Sequence, residues 1–197
     1  NLYARGTGPE LPGADGSYGP YVELLLKAGV VEQKRLRKVL HLAEPLLFRE
    51  GHAELVLLPP SGDGLRVRYL PEYPAGVDAT PVQFDTATGD YAREIATART
   101  FVVAADIEKL LAAGLGQGAS AENTLVLGSS SAPAMRLDLE PTRHKILDVL
   151  GDLALLGADL HADVIATRSG HSLNQMAVRD LRDRLEESEL TAPATDS

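Results

Sequence analysis

His144, Asp148 and Asp152 stand four positions apart in the stretch Arg143-His144-Lys145-Ile146-Leu147-Asp148-Val149-Leu150-Gly151-Asp152. Four residues advance an α-helix by about 400°, so on a helix these three side chains share one face. An imidazole and a carboxylate one turn apart can reach the same small divalent cation, and zinc is the first candidate for such a pair. The same spacing also suits a solvated helix face carrying a His among acids. Ile146, Leu147, Leu150, Leu153 and Ala154 form an apolar opposite face. That packs one side of the helix and leaves the polar stripe to meet water or line a cleft.

A second group lies in Arg168-Ser169-Gly170-His171-Ser172-Leu173-Asn174, which reads as a strand end, a glycine turn and a helix start. Such junctions commonly present active-site groups. His171 is either an ordinary polar loop residue or a general acid. In the second role it needs a carboxylate to hold its tautomer, and Asp152 could supply one. In a third stretch, Thr97-Ala98-Arg99-Thr100-Phe101, a hydroxyl precedes an aromatic at a helix-to-strand junction. Alone, that pattern is more often structural than chemical.

These residues need a scaffold, and the hydrophobic patterning outlines one. A turn-rich start leads into a helix over 21–29, which Gly29 ends. Short β-type runs follow at 39–42, 53–58, 65–70 and 81–84, separated by Pro, Gly and Asp, and suggest an antiparallel sheet. Beyond them the pattern predicts helices over 88–97, 106–113 and 140–156, and strands over 124–127 and 162–167. It also predicts an amphipathic helix over 172–187, with Leu173, Met176, Ala177, Leu181 and Leu185 on one stripe. This mixed order, without a regular βαβ rhythm, implies an α+β fold, a layered sheet-and-helix sandwich.

Composition excludes several functions. The net charge of −9, from 19 Lys and Arg against 28 Asp and Glu, would repel a phosphate backbone, so nucleic acid is not an expected partner. Without cysteine there is no disulfide and no thiolate metal site, and any metal must be held by His, Asp or Glu. No apolar run approaches the roughly 20 residues of a membrane span, and no signal-peptide pattern opens the chain. Stable membrane insertion is therefore not expected, and a cytoplasmic location is. The chain opens on Asn1, with a turn motif within ten positions, as though it begins inside a folded unit.

Several segments together resemble a family, the zinc-dependent UDP-3-O-acyl-N-acetylglucosamine deacetylases that commit bacteria to lipid A synthesis. The stretches that carry the resemblance are Gly8-Pro9-Glu10-Leu11-Pro12 with Asp15-Gly16-Ser17, Ala98-Arg99-Thr100-Phe101, and Gly114-Leu115 with Gly118 and Glu122-Asn123. Arg143 to Gly157 and Ser169 to Asn174 complete the series. The resemblance implies two domains of similar topology, each a sheet layered on helices, with zinc between them. Residues 1–34 would be the end of the first domain, 35–187 the second, and 188–197 a disordered tail. It implies that His144 and Asp148 are zinc ligands, that Asp152 orients His171, and that His171 protonates the leaving amine. It further implies that Thr100 stabilises the tetrahedral oxyanion, with Lys145 and Arg168 facing phosphates or developing charge and Phe101 beside the substrate, a UDP-linked acylated amino sugar. The segment 102–128 would either form an apolar passage for the acyl chain or be a surface loop.

The chain departs from the family in two places. The family's first-domain motif, a Glu followed directly by His, has no counterpart in these 197 residues. That pair supplies the general base and the third zinc ligand, so the expectation is a chain that lacks its first domain and is inactive alone. The other departure is Ser-Ser-Ser-Ala-Pro-Ala at 129–134, where an Asn-containing stretch is usual, with Leu139 where an acid is common. The alternative reading is a non-catalytic relative that binds a nucleotide sugar or a partner protein.

Overall fold

Gly, Pro and Asp cut this chain into short elements. The computed structural model describes residues 13–114, 116, 118–129 and 134–191. In chain order the elements are α1 (Gly19–Ala28), β1 (Val39–His41), β2 (Leu46–Glu50), β3 (Ala53–Leu58), β4 (Leu65–Leu70), β5 (Val82–Asp85) and α2 (Tyr91–Glu94). They continue with β6 (Phe101–Val103), a 3₁₀ turn (Ala104–Asp106), α3 (Ile107–Ala112), β7 (Leu125–Leu127), α4 (Glu140–Ala154), β8 (Asp159–Thr167) and α5 (His171–Thr191). The Gly8 to Pro12 motif, Leu115, and the expected tail beyond Thr191 lie outside the described residues. No helix among the described residues is long and apolar enough to cross a membrane.

The sheet is built around β8. Along this strand buried Leu160, Ala162, Val164 and Ala166 alternate with half-buried residues, so one face carries the core and the other is partly wet. The main order is β2-β3-β8-β4-β5, with β1 also pairing with β8. β8 runs antiparallel to β3 and parallel to β1 and β4. The expectation of an antiparallel sheet over residues 37–85 is thus corrected, since a strand from nearly a hundred residues downstream separates β3 from β4. Local pattern carries no information about such an insertion. β2 lies outside the runs that the patterning predicts and forms a hairpin with β3 through a two-residue turn in which Gly51 has φ +59°.

Helices α4 and α5 pack on each other and on the buried face, giving the layered α+β sandwich. Ile146, Leu147, Val149 and Leu153 of α4 meet Leu173, Ala177, Val178 and Leu181 of α5 in a core shared with Leu55, Leu57, Val67, Tyr69 and Phe84 of the sheet. Two assignments to these faces are corrected. Met176 is 37% exposed, because the buried side of α5 centres on Leu173, Ala177 and Leu181. Ala154 is exposed at the last position of α4. Leu173→Ala should therefore cost about 2–5 kcal/mol as a buried cavity. Met176→Ala should cost well under half of that, and urea midpoints for the two variants check the difference.

A second, two-stranded parallel sheet joins Phe101–Val103 to Leu125–Leu127. It sets residues 98–101 beside the start of α4. The Asp15-Gly16-Ser17 turn locks onto this piece: Thr100 donates its backbone N–H to Gly16 O (2.8 Å), and Tyr18 donates to Ala96 O (2.9 Å). Gly16, at φ +80°, lies so close to Asn123 that a Cβ there would fall 1.6 Å from its carbonyl oxygen. Two motif segments far apart in sequence thus touch through a position only glycine can fill.

Candidate active site

The site is assembled along α4. Leu139, at φ +56°, turns the chain into the helix, and Pro141 occupies a first-turn position where no N–H is needed. Glu140 is fully buried and faces Arg99. Its Oε1 accepts both the Arg99 backbone N–H and Nε–H (2.9 Å each), while Oε2 accepts from Arg99 Nη2 (3.1 Å) and from the Arg136 backbone (2.6 Å). Arg143 adds a bond from Nη1 to Glu94 O (3.0 Å). Segment 94–101 is thereby pinned to α4.

Burial alone would push the Glu140 carboxyl up, but the hydrogen bonds from Arg99 and Arg136 outweigh it and hold the group below the usual range. Because the folded value is depressed, this stability is present above the ordinary Glu pKa of about 4.3 and is lost as pH falls through the lowered value. The stability gap between the protein and its Glu140→Gln variant should therefore narrow below about pH 4. Denaturation midpoints across that range test it.

One turn on from Glu140, His144 Nδ1 lies 3.0 Å from the Ala98 carbonyl oxygen. A carbonyl can only accept, so Nδ1 carries the proton, and in the neutral ring Nε2 presents a lone pair. Nε2 is 3.4 Å from Asp148 Oδ1, and Lys145 Nζ donates to Asp148 Oδ2 (2.9 Å). A further turn along, Asp152 Oδ2 accepts from His171 Nδ1 (2.8 Å) and from Asn174 Nδ2 (2.9 Å). His171 Nε2 lies 4.0 Å from Asp148 Oδ1. The His171 side chain is 65% exposed whereas Asp152 is buried, so an accessible imidazole rests on a sheltered carboxylate. The structure thus brings His144, Lys145, Asp148, Asp152 and His171 together.

Other candidates sit around this group. Thr100 is half-buried, with its backbone C=O accepting from Leu125 N–H (2.9 Å). Phe101 sets its ring edge-on to His144 (6.3 Å between centroids) and to Tyr73 (5.6 Å). Lys145 Nζ stands 5.9 Å from the centre of the Tyr69 ring, whose hydroxyl donates to Ser169 O (3.1 Å). Burial pushes the Tyr73 phenol up to about 12, so it stays neutral. Arg168 follows the last residue of β8 at φ +52° and pairs with Glu72 (2.8 Å), not with a carboxylate of the cluster. Within 102–128 the described residues form β6, the 3₁₀ turn, α3 and β7.

Sequence reasoning gave no role to Asn174, Arg99, Glu140 or the Ala98 carbonyl. Asn174 was within reach of it, since three residues after His171 on a helix is the same face. A backbone carbonyl leaves no mark on residue type.

The donors suit zinc in kind, with an imidazole nitrogen whose tautomer is set and a carboxylate oxygen beside it. They fall short in number. Among the described residues no group of three His, Cys, Asp or Glu could hold a metal ion.

Fold and site together define an α+β sandwich with a cluster of His, Asp and Lys along α4. The family model for UDP-3-O-acyl N-acetylglycosamine deacetylase matches residues 1–183, and the chain belongs to that family. It is 40% identical over 177 residues to a UDP-3-O-acyl-N-acetylglucosamine deacetylase of Anaeromyxobacter sp., covering 87% of this chain and 57% of that protein. To the protein of the same name from Cellvibrio japonicus it is 39% identical over 178 residues, covering 86% and 57%. The chain therefore spans a little over half the length of these curated relatives.

Proposed function

We propose that the protein hydrolyses the N-acetyl amide of UDP-3-O-acyl-N-acetylglucosamine, releasing acetate in the committed step of lipid A synthesis, and does so in the cytoplasm. The observation that carries this reading is the placement of His171 Nε2 within 4.0 Å of the carboxylate that also borders His144 Nε2. A proton donor and two metal donors thus share one small volume. His144 Nε2 and Asp148 Oδ1 would hold zinc, which when bound polarises a carbonyl and lowers the pKa of water to about 7.

Amide hydrolysis needs an acid for the leaving nitrogen, because an amide anion is too basic to depart. His171 fits that part, with Nδ1–H held by Asp152 and Nε2 free to give its proton to the amine. Asn174 fixes the carboxylate from its other side. Lys145, tied to Asp148, places a positive charge beside the reacting group, and the Thr100 hydroxyl supports the oxyanion. Phe101 borders the substrate, and Arg168 lies toward its charged end.

Residues 1–34 fit the end of a first domain and 35–187 a second, in which case the third ligand and the base come from the first. The runner-up, a binding protein without catalysis, draws on the shortage of metal donors. An acetate-release assay on the UDP-linked substrate with added zinc separates the two. The full-length protein should turn over, and residues 1–197 alone should be at least about 10²-fold slower for want of a base. Turnover by residues 1–197 within tenfold of the full-length protein would overturn the division of the site. A full-length protein that binds substrate without releasing acetate would establish the binding reading.

A further inference from the structure

The Ala98–Arg99 peptide group lies between two side chains of α4 that are one turn apart. Its N–H donates to Glu140 Oε1 (2.9 Å), and its C=O faces His144 Nδ1 (3.0 Å). The two edges of a trans peptide point in opposite directions, and residues i and i+4 of a helix are neighbours on one face. Glu140 and His144 therefore grip one rigid plane from its two ends.

We propose that Glu140 and Arg99 are positioning residues for His144, acting through this peptide; the idea rests on the zinc reading above. A buried carboxylate accepting the N–H polarises the peptide and makes its carbonyl a stronger acceptor. The carbonyl then holds the His144 proton on Nδ1 and keeps Nε2 open to a cation. Arg99 keeps Glu140 ionised and in place through Nε and Nη2, and is itself tied to Ala134 O (2.7 Å). The carboxylate's hydrogen bonds run to Arg99 and Arg136, and its influence reaches His144 through the backbone. Residues 98 to 101 then also carry Phe101 to its edge-on seat against His144.

The experiment compares the full-length protein with its Glu140→Gln and Arg99→Lys variants. The ¹⁵N shifts of the His144 ring are read in metal-free protein, and zinc affinity is read by competition with a chelating dye. The unmodified protein should show the Nδ1–H tautomer. Glu140→Gln should give mixed tautomers and a zinc affinity lower by about 10–100-fold. Arg99→Lys keeps both the backbone N–H and a charge for Glu140, so it should hold the tautomer and lose under tenfold in affinity. If Glu140→Gln does not fold, Glu140→Asp, with its shorter reach, takes its place with the same expectation. An Nε2–H tautomer in the unmodified protein would overturn the proposal. So would an unchanged tautomer in the Glu140 variant, or equal losses in the Glu140 and Arg99 variants. Failure of the unmodified protein to bind zinc would sink the zinc reading, while the metal-free tautomer measurement would still decide the role of Glu140.

Discussion

In the full-length protein, His171→Ala should lower kcat by about 10²–10⁴ while KM moves only a few-fold. The imidazole is mostly exposed and hydrogen-bonds to Asp152, so truncating it opens no cavity and leaves the fold intact. In the proposed reaction its proton is needed only as the carbon–nitrogen bond breaks, so the loss should fall on the transition state and not on binding. Removing Asp152 should act in the same direction by freeing the ring, but with added destabilisation, because Asn174 is buried and would lose its acceptor. Steady-state kinetics on His171→Ala, with unchanged thermal melting as the control, decide the matter. A nearly normal kcat would move His171 to a structural role.

Asp148→Ala should have a comparably large effect by another route. It removes one of the two residues proposed to hold zinc and strips Lys145 of its partner at 2.9 Å. Zinc affinity should fall by more than the roughly 10–100-fold typical of groups that only support a ligand. The kcat/KM should fall with it and recover in part as zinc is raised. Asp148→Asn separates the two functions, since the amide retains a weak oxygen donor but neutralises the charge facing Lys145. If zinc affinity is unchanged in the alanine variant, Asp148 serves only as the lysine's partner.

Much of this arrangement was legible from sequence where a signal was local and periodic. The four-residue spacing on α4 put His144, Asp148 and Asp152 on one face, and the glycine turn put His171 at the head of α5. The runs that became β3 and β4 matched the observed strands at both ends. What escaped was non-local. Nothing within Asp159–Thr167 says that it will part β3 from β4, because the partners of a strand are not written in its own residues. Arg99 and Glu140 lie 41 positions apart, and each alone resembles a surface charge. The face of α5 was read one residue too wide at Met176, since a four-residue stripe drifts around a helix of 3.6 residues per turn.

The position of β8 has a consequence for how the protein is made. The strand that completes the sheet leaves the ribosome well after its partners β3 and β4, and its pairing with β4 closes a loop of nearly a hundred residues, as the Gly64–His161 bond at a separation of 97 records. Until Asp159–Thr167 emerges, β3 and β4 each carry an unpaired edge, and the apolar faces of α4 and the sheet have no common partner. Such long-range closure is slow, and the waiting edges favour pairing with other chains. During synthesis the nascent chain should therefore depend on chaperone cover until Asp159–Thr167 has emerged and paired with β3 and β4.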